Sequence, residues 1–164
     1  DDPPIAELLD LAQRQEGALR RVGTIWNPAE PNSEISVKRL RKVCQERRLE
    51  LTERNASTTN ELPDVTSAVC RAGIDILVIS ADNVTSAGFP AIRSAAGRES
   101  VPVYCTEPDL VKAGAAGAVG VNYYDWGRQS ARLAARILAG EAAESVAPEK
   151  VASMQTVAPP RDGR

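Results

Sequence analysis

Histidine is missing from this 164-residue sequence, and with it the usual general base near neutral pH and the commonest metal ligand. Most hydrolase and zinc-site mechanisms lose their machinery at once. Cysteine is scarce, and Cys44, Cys70 and Cys105 are odd in number and widely spaced, which suits neither a disulfide framework nor a metal knuckle. Cys44 and Cys70 fall on apolar positions of expected helices and read as small buried hydrophobes. Cys105 has no neighbouring cation in the sequence, so its thiol reads as inert. Long apolar runs are lacking too: nothing approaches the 18 or more residues of a membrane span, and no charged-then-apolar signal peptide opens the chain. The one methionine is Met154, so the expectation is a processed protein or an excised segment. Charge of one sign does not dominate either. With 20 basic and 22 acidic residues the net charge is -2, which provides no global field for nucleic acid or an anionic membrane surface. A small or neutral partner is expected, and no nucleic acid.

What is present is a repeated pattern. Five short apolar runs each break into a polar cluster that opens a helix-like segment: VGTIW into Asn27–Ser33, LELTE into Asn55–Thr58, ILVIS into Ala81–Asn83, PVYC into Thr106–Asp109, and AVGV into Asn122–Tyr124. Strand–helix alternation of this kind argues for a parallel sheet with right-handed crossovers, and a chain of this length suits one domain of three layers. The expected fold is α/β, a three-layer α/β/α arrangement around a mostly parallel sheet of five to six strands. In such a sheet all the strand ends share one edge, where open sheets bind ligands.

The elements follow from periodicity and end signals. Residues 4–16 place Ile5, Leu8, Leu9 and Ala12 on one helical face. After a strand at 21–26, Asn32 or Ser33 is placed to cap a helix whose Ile35, Val37, Leu40, Val43 and Cys44 face inward, with Lys38, Arg39, Arg41, Lys42 and Glu46 toward water. That basic run reads as a solvated face, since no aromatic residues are interleaved with it. A strand at 49–53 precedes the cap cluster Thr58–Asn60 and a helix to about Ala72, which Gly73 ends. Ile74–Ile79 reads as a central strand buried on both faces. A helix over 85–97 with Pro90 early or kinking it, a strand at 101–105, a short helix over 107–113, a strand at 116–121 and a longer helix over 125–138 follow. Residues 146–164 read as a tail with an edge strand near 153–157.

The chemistry of the strand ends is that of a small zwitterion's complement. Carboxylates of Glu30, Asp82 and Glu107 suit an ammonium; Asn27, Asn32, Ser33, Asn83 and Thr106, with free N–H groups at helix starts, suit a carboxylate. Caps and turns are the commonest individual use of such residues. Gathered at one edge, they favour ligand contact. The segment 22–33 lacks the glycines and Lys-Ser/Thr of a phosphate loop, and Gly114, Gly117 and Gly120 have the wrong spacing and the wrong place for a dinucleotide fingerprint, so they read as packing and turn positions. No cofactor and no metal is expected. Trp26, Phe89 and Tyr104 are placed either to flank an aromatic ligand or, more ordinarily, to pack in the core.

The runs VGTIWNPAEPNSE, ILVISADNVTSAG, PVYCTEPDLVKAGA and VGVNYYDWGRQSARLAARILAGE resemble the successive motifs of the ABC-transporter substrate-binding family that includes tryptophan- and phenylalanine-binding lipoproteins, a branch of the type I periplasmic-binding fold. The resemblance runs from about Ile5 to Ser145 and covers the second of that family's two lobes. It implies a solute-binding component, not an enzyme, that captures an amino acid or similar small solute for an ABC permease, periplasmic or extracellular and membrane-anchored in a longer parent. The family's Asn-Pro-Gly-Glu-Ala-Asn-Ser motif falls on Asn27, Glu30, Asn32 and Ser33, its Asp-Asn pair on Asp82 and Asn83, and its Ser-Asp on Thr106 and Glu107. Trp26 stands where Tyr is usual, Ala29 for Gly, Pro31 for Ala, and Cys105 for a small residue. A ligand-sensing regulatory domain on the same fold is the alternative, and a cofactor-using enzyme a more distant one. Residues 1–145 are then one ligand-binding lobe, with 125–139 a hinge-crossing helix packed on a first lobe that this sequence does not resemble. Without that lobe, the stripe of Trp126, Leu133, Ala134, Ile137 and Leu138 is expected to fold back on its own sheet or to pair in a homodimer. Asp82→Ala is expected to weaken ligand binding with little loss of stability.

Overall fold

The computed structural model describes residues 3–159. In chain order the elements are α1 (Ile5–Glu16), β1 (Arg21–Trp26), α2 (Pro31–Arg47), β2 (Glu50–Asn55), α3 (Leu62–Cys70), β3 (Ile76–Ile79), α4 (Asn83–Ala87), α5 (Phe89–Arg98), β4 (Val103–Cys105), β5 (Gly117–Val121), α6 (Tyr123–Leu138) and β6 (Met154–Val157). The sheet runs β2-β1-β3-β4-β5-β6. Its first five strands are parallel, and β6 pairs antiparallel with β5, Val119 opposite Thr156.

Because side chains alternate across a strand, the sheet feeds two cores. Val22, Ile76, Val78, Tyr104 and Val119 meet Leu8 and Leu9 of α1 and Leu40 and Val43 of α2. Ile25, Leu77, Ile79, Cys105 and Ala118 meet Leu62 and Val69 of α3 and Ile92 and Ala96 of α5. The three-layer α/β/α fold read from the alternation is therefore the fold observed. All four residues of β3 are buried, as expected of the strand covered on both faces. Gly73 ends its segment at φ +77°, a left-handed conformation that glycine adopts without steric cost.

Several boundaries differ from the sequence-based expectation. Helix α2 starts one residue before Asn32, with Glu30 at the cap position and Pro31 first, so neither Asn32 nor Ser33 caps it. That phase turns Ser33 and Ser36 inward and leaves Ile35 56 % exposed. The helix expected over 85–97 is two, because Gly88 sits against Leu62 and the Val84 carbonyl and Pro90 opens a new first turn. The segment 107–113 holds only a single 3-10 turn, Pro108–Val111. Helix α6 begins at Tyr123, since the Asn122 side chain accepts the Asp125 N–H at 3.2 Å and caps it. Phe89 and Tyr104 are fully buried and belong to the core. Half-buried Trp26 lies under the Arg41 guanidinium, 5.7 Å from its ring centre.

Helix α6 departs most from a globular pattern. None of its residues is buried; Trp126 is 44 % exposed and Leu138 88 %. It does not fold back on the sheet. It is held at its root and along one side by the returning chain: Gln129 donates to the Glu149 carboxylate at 2.9 Å and to the Lys150 carbonyl at 2.8 Å, and the Ser153 hydroxyl donates to Asp125 at 3.1 Å.

At the opposite edge of the sheet from the polar strand ends, Asp75 accepts the backbone N–H groups of Arg20 and Arg21 at 2.6 and 2.7 Å. The Arg21 N–H bond above all, helped by the Arg20 N–H bond and both guanidinium charges, holds its carboxyl below the ordinary 3.8 even though burial, the second-largest effect, pushes it up. A depressed folded-state value stabilises the fold fully above the unfolded value, about pH 4, and that contribution fades as pH falls through the folded value. Asp75→Asn should lower stability by about 1–2 kcal/mol at neutral pH. Urea melts from pH 7 to pH 2.5 should show the two proteins converging at the acid end.

Candidate functional site

The C-terminal ends of β1, β3 and β4 lie side by side, and the loops that leave them are joined into one polar network. Asp82, 5 % exposed, is its hub. It caps α4 by accepting the Thr85 N–H at 2.7 Å, and its other oxygen accepts the Ser33 hydroxyl at 3.0 Å and the Asn27 N–H at 3.3 Å. A buried carboxylate with three donors from two loops fixes those loops relative to each other. The Ser33 hydroxyl also accepts the Asn27 N–H at 3.1 Å. Asn27 forms its own turn: its side-chain oxygen accepts the Ala29 N–H and its amide donates to Glu30, at 3.0 and 2.9 Å.

Glu30 reaches across to the next strand end, where both its oxygens accept the Asn83 N–H, at 3.1 and 3.2 Å. Between them the Ala81 peptide is held at both ends. Its carbonyl accepts from the Asn32 amide at 3.0 Å, and its N–H donates to the Thr106 hydroxyl at 3.1 Å. The Ser86 hydroxyl of α4 donates to Glu107 at 2.9 Å. All eight residues expected at the site are thus gathered at one edge. They divide into two sets: Asn27, Ser33 and Asp82 are buried, whereas Glu30, Asn32, Asn83, Thr106 and Glu107 are half-buried or exposed.

The sequence reading missed three residues of this arrangement. Thr85 and Ser86 lie one turn into a helix that it began later, and Gly120 read only as a packing glycine. A Cβ on Gly120 would fall on the Thr106 carbonyl and 2.6 Å from Pro108 Cδ, so its bare backbone lets the Thr106–Glu107 loop lie on β5. Neighbouring Cys105 is fully buried, and burial pushes its thiol up to about 12. An unreactive thiol is what that environment gives. Segments 27–33, 81–87 and 105–111 carry Glu30, Asp82, Glu107 and Asp109; Lys112 pairs with Asp109, which leaves Glu30, Asp82 and Glu107 to make these loops negative. Among the described residues no group of His, Cys, Asp and Glu could hold a metal ion.

The family described as ABC transporter substrate binding protein matches residues 1–160. The chain belongs to this family. A tyrosine-binding protein of Clostridioides difficile (strain R20291) is 27 % identical over 137 residues, which are 84 % of this chain and 39 % of that protein. Among solved structures, a conserved domain protein from Vibrio cholerae superposes with a TM-score of 0.87 at 22 % identity, over 95 % of this chain and 52 % of that one. An ABC domain in complex with L-Trp from Streptococcus pneumonia superposes with a TM-score of 0.84 at 18 % identity, over 95 % and 54 %. The chain therefore spans about two fifths of the curated relative and about half of each of these structures. Substrate-binding proteins of this family bind solutes and are not enzymes, and the observed sheet is that of one lobe of a periplasmic-binding protein. Among the described residues no helix is long and apolar enough to cross a membrane.

Proposed function

We propose that this chain is a ligand-capturing lobe of an ABC-transporter substrate-binding protein, and that its solute is an amino acid held at the C-terminal edge of the sheet for delivery to an ABC permease. The observation that carries this reading is the convergence of eight polar side chains from three strand ends, in a family of solute-binding proteins. The buried set, Asn27, Ser33 and Asp82, holds the loops in place. The accessible set, Glu30, Asn32, Asn83, Thr106 and Glu107, meets the ligand. A negative edge with exposed amides and a hydroxyl matches an ammonium beside neutral hydrogen-bonding groups. The curated relative that binds tyrosine supports an amino acid as the solute.

On this reading residues up to 145, with the edge strand β6 returning to the same sheet, form the lobe, α6 is the crossing helix whose exposed face serves a first lobe, and the place of work is periplasmic or extracellular, with the protein tethered to a membrane. An isolated lobe offers only part of a cleft, so affinity for the free chain should be in the millimolar range, about −4 kcal/mol. Titrating the 15N-labelled chain with L-tryptophan, L-tyrosine and arabinose tests this. Amide signals of Asn83, Thr106 and Glu107 should move with the amino acids and not with arabinose. Shifts confined to other edges of the sheet, or none with either amino acid, would overturn the reading.

A further inference from the structure

Four carboxylates stand at the strand ends, and the structure distinguishes them by what their oxygens already do. Asp82 spends both oxygens on three internal donors and is almost fully buried. Glu30 braces two loops, taking the Asn27 amide on one oxygen and the Asn83 N–H on both. Asp109 is exposed and pairs with Lys112 at 3.2 Å. Glu107 is half-buried, is in none of the ion pairs among the described residues, and keeps one oxygen in reserve: Oε2 accepts the Ser86 hydroxyl, and Oε1 has no donor among the described residues. A carboxylate oxygen accepts up to two hydrogen bonds, so Glu107 retains capacity for a new donor without breaking the network.

The Glu107 backbone is also fixed from three sides. Its carbonyl accepts the Cys105 thiol at 3.4 Å and the Leu110 N–H at 3.1 Å, and Gly120 lets its loop lie against β5. What remains free is a side chain with three rotatable bonds, and Ser86 is the group that restrains its far end. Resting on the amino-acid reading above, we propose that Glu107 is the acceptor for the ligand ammonium and that Ser86 is the positioning residue that aims it. The hydroxyl–carboxylate bond is charge-assisted. It removes rotamer freedom before the ligand arrives, so the ordering cost does not fall on binding.

The test compares L-tryptophan with indole-3-propionate, which differs only in lacking the ammonium, on the wild-type chain and on Ser86→Ala, Ser86→Thr and Glu107→Gln. NMR titration gives the affinities and thermal melts give the stabilities. Wild type should prefer L-tryptophan. Ser86→Ala should weaken L-tryptophan about tenfold, leave indole-3-propionate unchanged and melt close to wild type, and Ser86→Thr should restore the preference. Glu107→Gln should abolish the preference. Equal losses for both ligands, or a preference that survives Ser86→Ala, would overturn the proposal while leaving amino-acid capture intact. A wild-type chain that binds neither ligand would remove the reading on which the proposal stands, and the proposal with it.

Discussion

Replacing Asp82 by alanine should destabilise the fold by about 3–5 kcal/mol and lower the melting temperature by roughly 10 °C. The sequence-based expectation was little loss of stability; the structure reverses it. The substitution strips the cap from α4, worth about 1 kcal/mol, and it leaves the Asn27 N–H with only the Ser33 hydroxyl as acceptor. The Thr85 N–H loses its 2.7 Å partner inside a buried pocket. Because the carboxylate joins the β1 and β3 loops, loss of ligand binding should accompany the loss of stability. Asp82→Asn keeps the size and one acceptor and should recover part of both. Guanidinium denaturation of the two variants checks this, and an alanine variant as stable as wild type would show that the hub is dispensable.

Gly120→Ala should be nearly as damaging, about 2–3 kcal/mol, although it adds a single methyl group. The new Cβ would overlap the Thr106 carbonyl and press on Pro108. The first of these is backbone, which no side-chain rotation can relieve. The loop that carries Thr106 and Glu107 must lift from β5, breaking the bond from Ala81 N–H to the Thr106 hydroxyl and pulling Glu107 from Ser86. Amide spectra should therefore show changes centred on 104–108 and 81–86, and the affinity for an amino acid should fall with the melting temperature. By comparison, Gly127→Ala, inside α6 and with nothing within 4 Å of the new methyl group, should raise stability by up to about 1 kcal/mol through helix propensity, which makes it the control for an added methyl group.

The legible part of the fold was whatever depends on neighbours in sequence. The run Ile76–Ile79 announces a doubly covered strand by composition, and the polar break after each strand announces the edge where the eight site residues meet. What was not legible depends on partners that arrive from elsewhere. Asp82 reads as a turn former next to Asn83; only the approach of Ser33 and Asn27, from a loop 49 and 55 residues away, makes it a buried hub. Ile35 reads as an inward apolar residue, yet Pro31 sets a helix phase that gives the inward place to Ser36. Gly88 breaks one expected helix in two because Leu62, on a different element, occupies the space its side chain would need. Ser86 was invisible for the same reason, since its partner Glu107 lies 21 residues on.

Helix α6 is tied to the sheet through a narrow root. The outgoing chain at Asn122 and the returning chain at Ser153 are stitched by the Asn122 N–H to the Ser153 carbonyl at 3.2 Å and by the Ser153 hydroxyl to Asp125, while no side chain of the helix is buried. Mechanically this is a lever with a two-stranded pivot. Its 16 residues make an arm about 24 Å long, so a rotation of about 10° at the pivot sweeps its far end, at Leu138, through about 4 Å. Torque applied along that arm reaches the sheet through Asn122 and Ser153 and, by way of Gln129, through the returning segment at 149–152, so the outgoing and returning strands turn together.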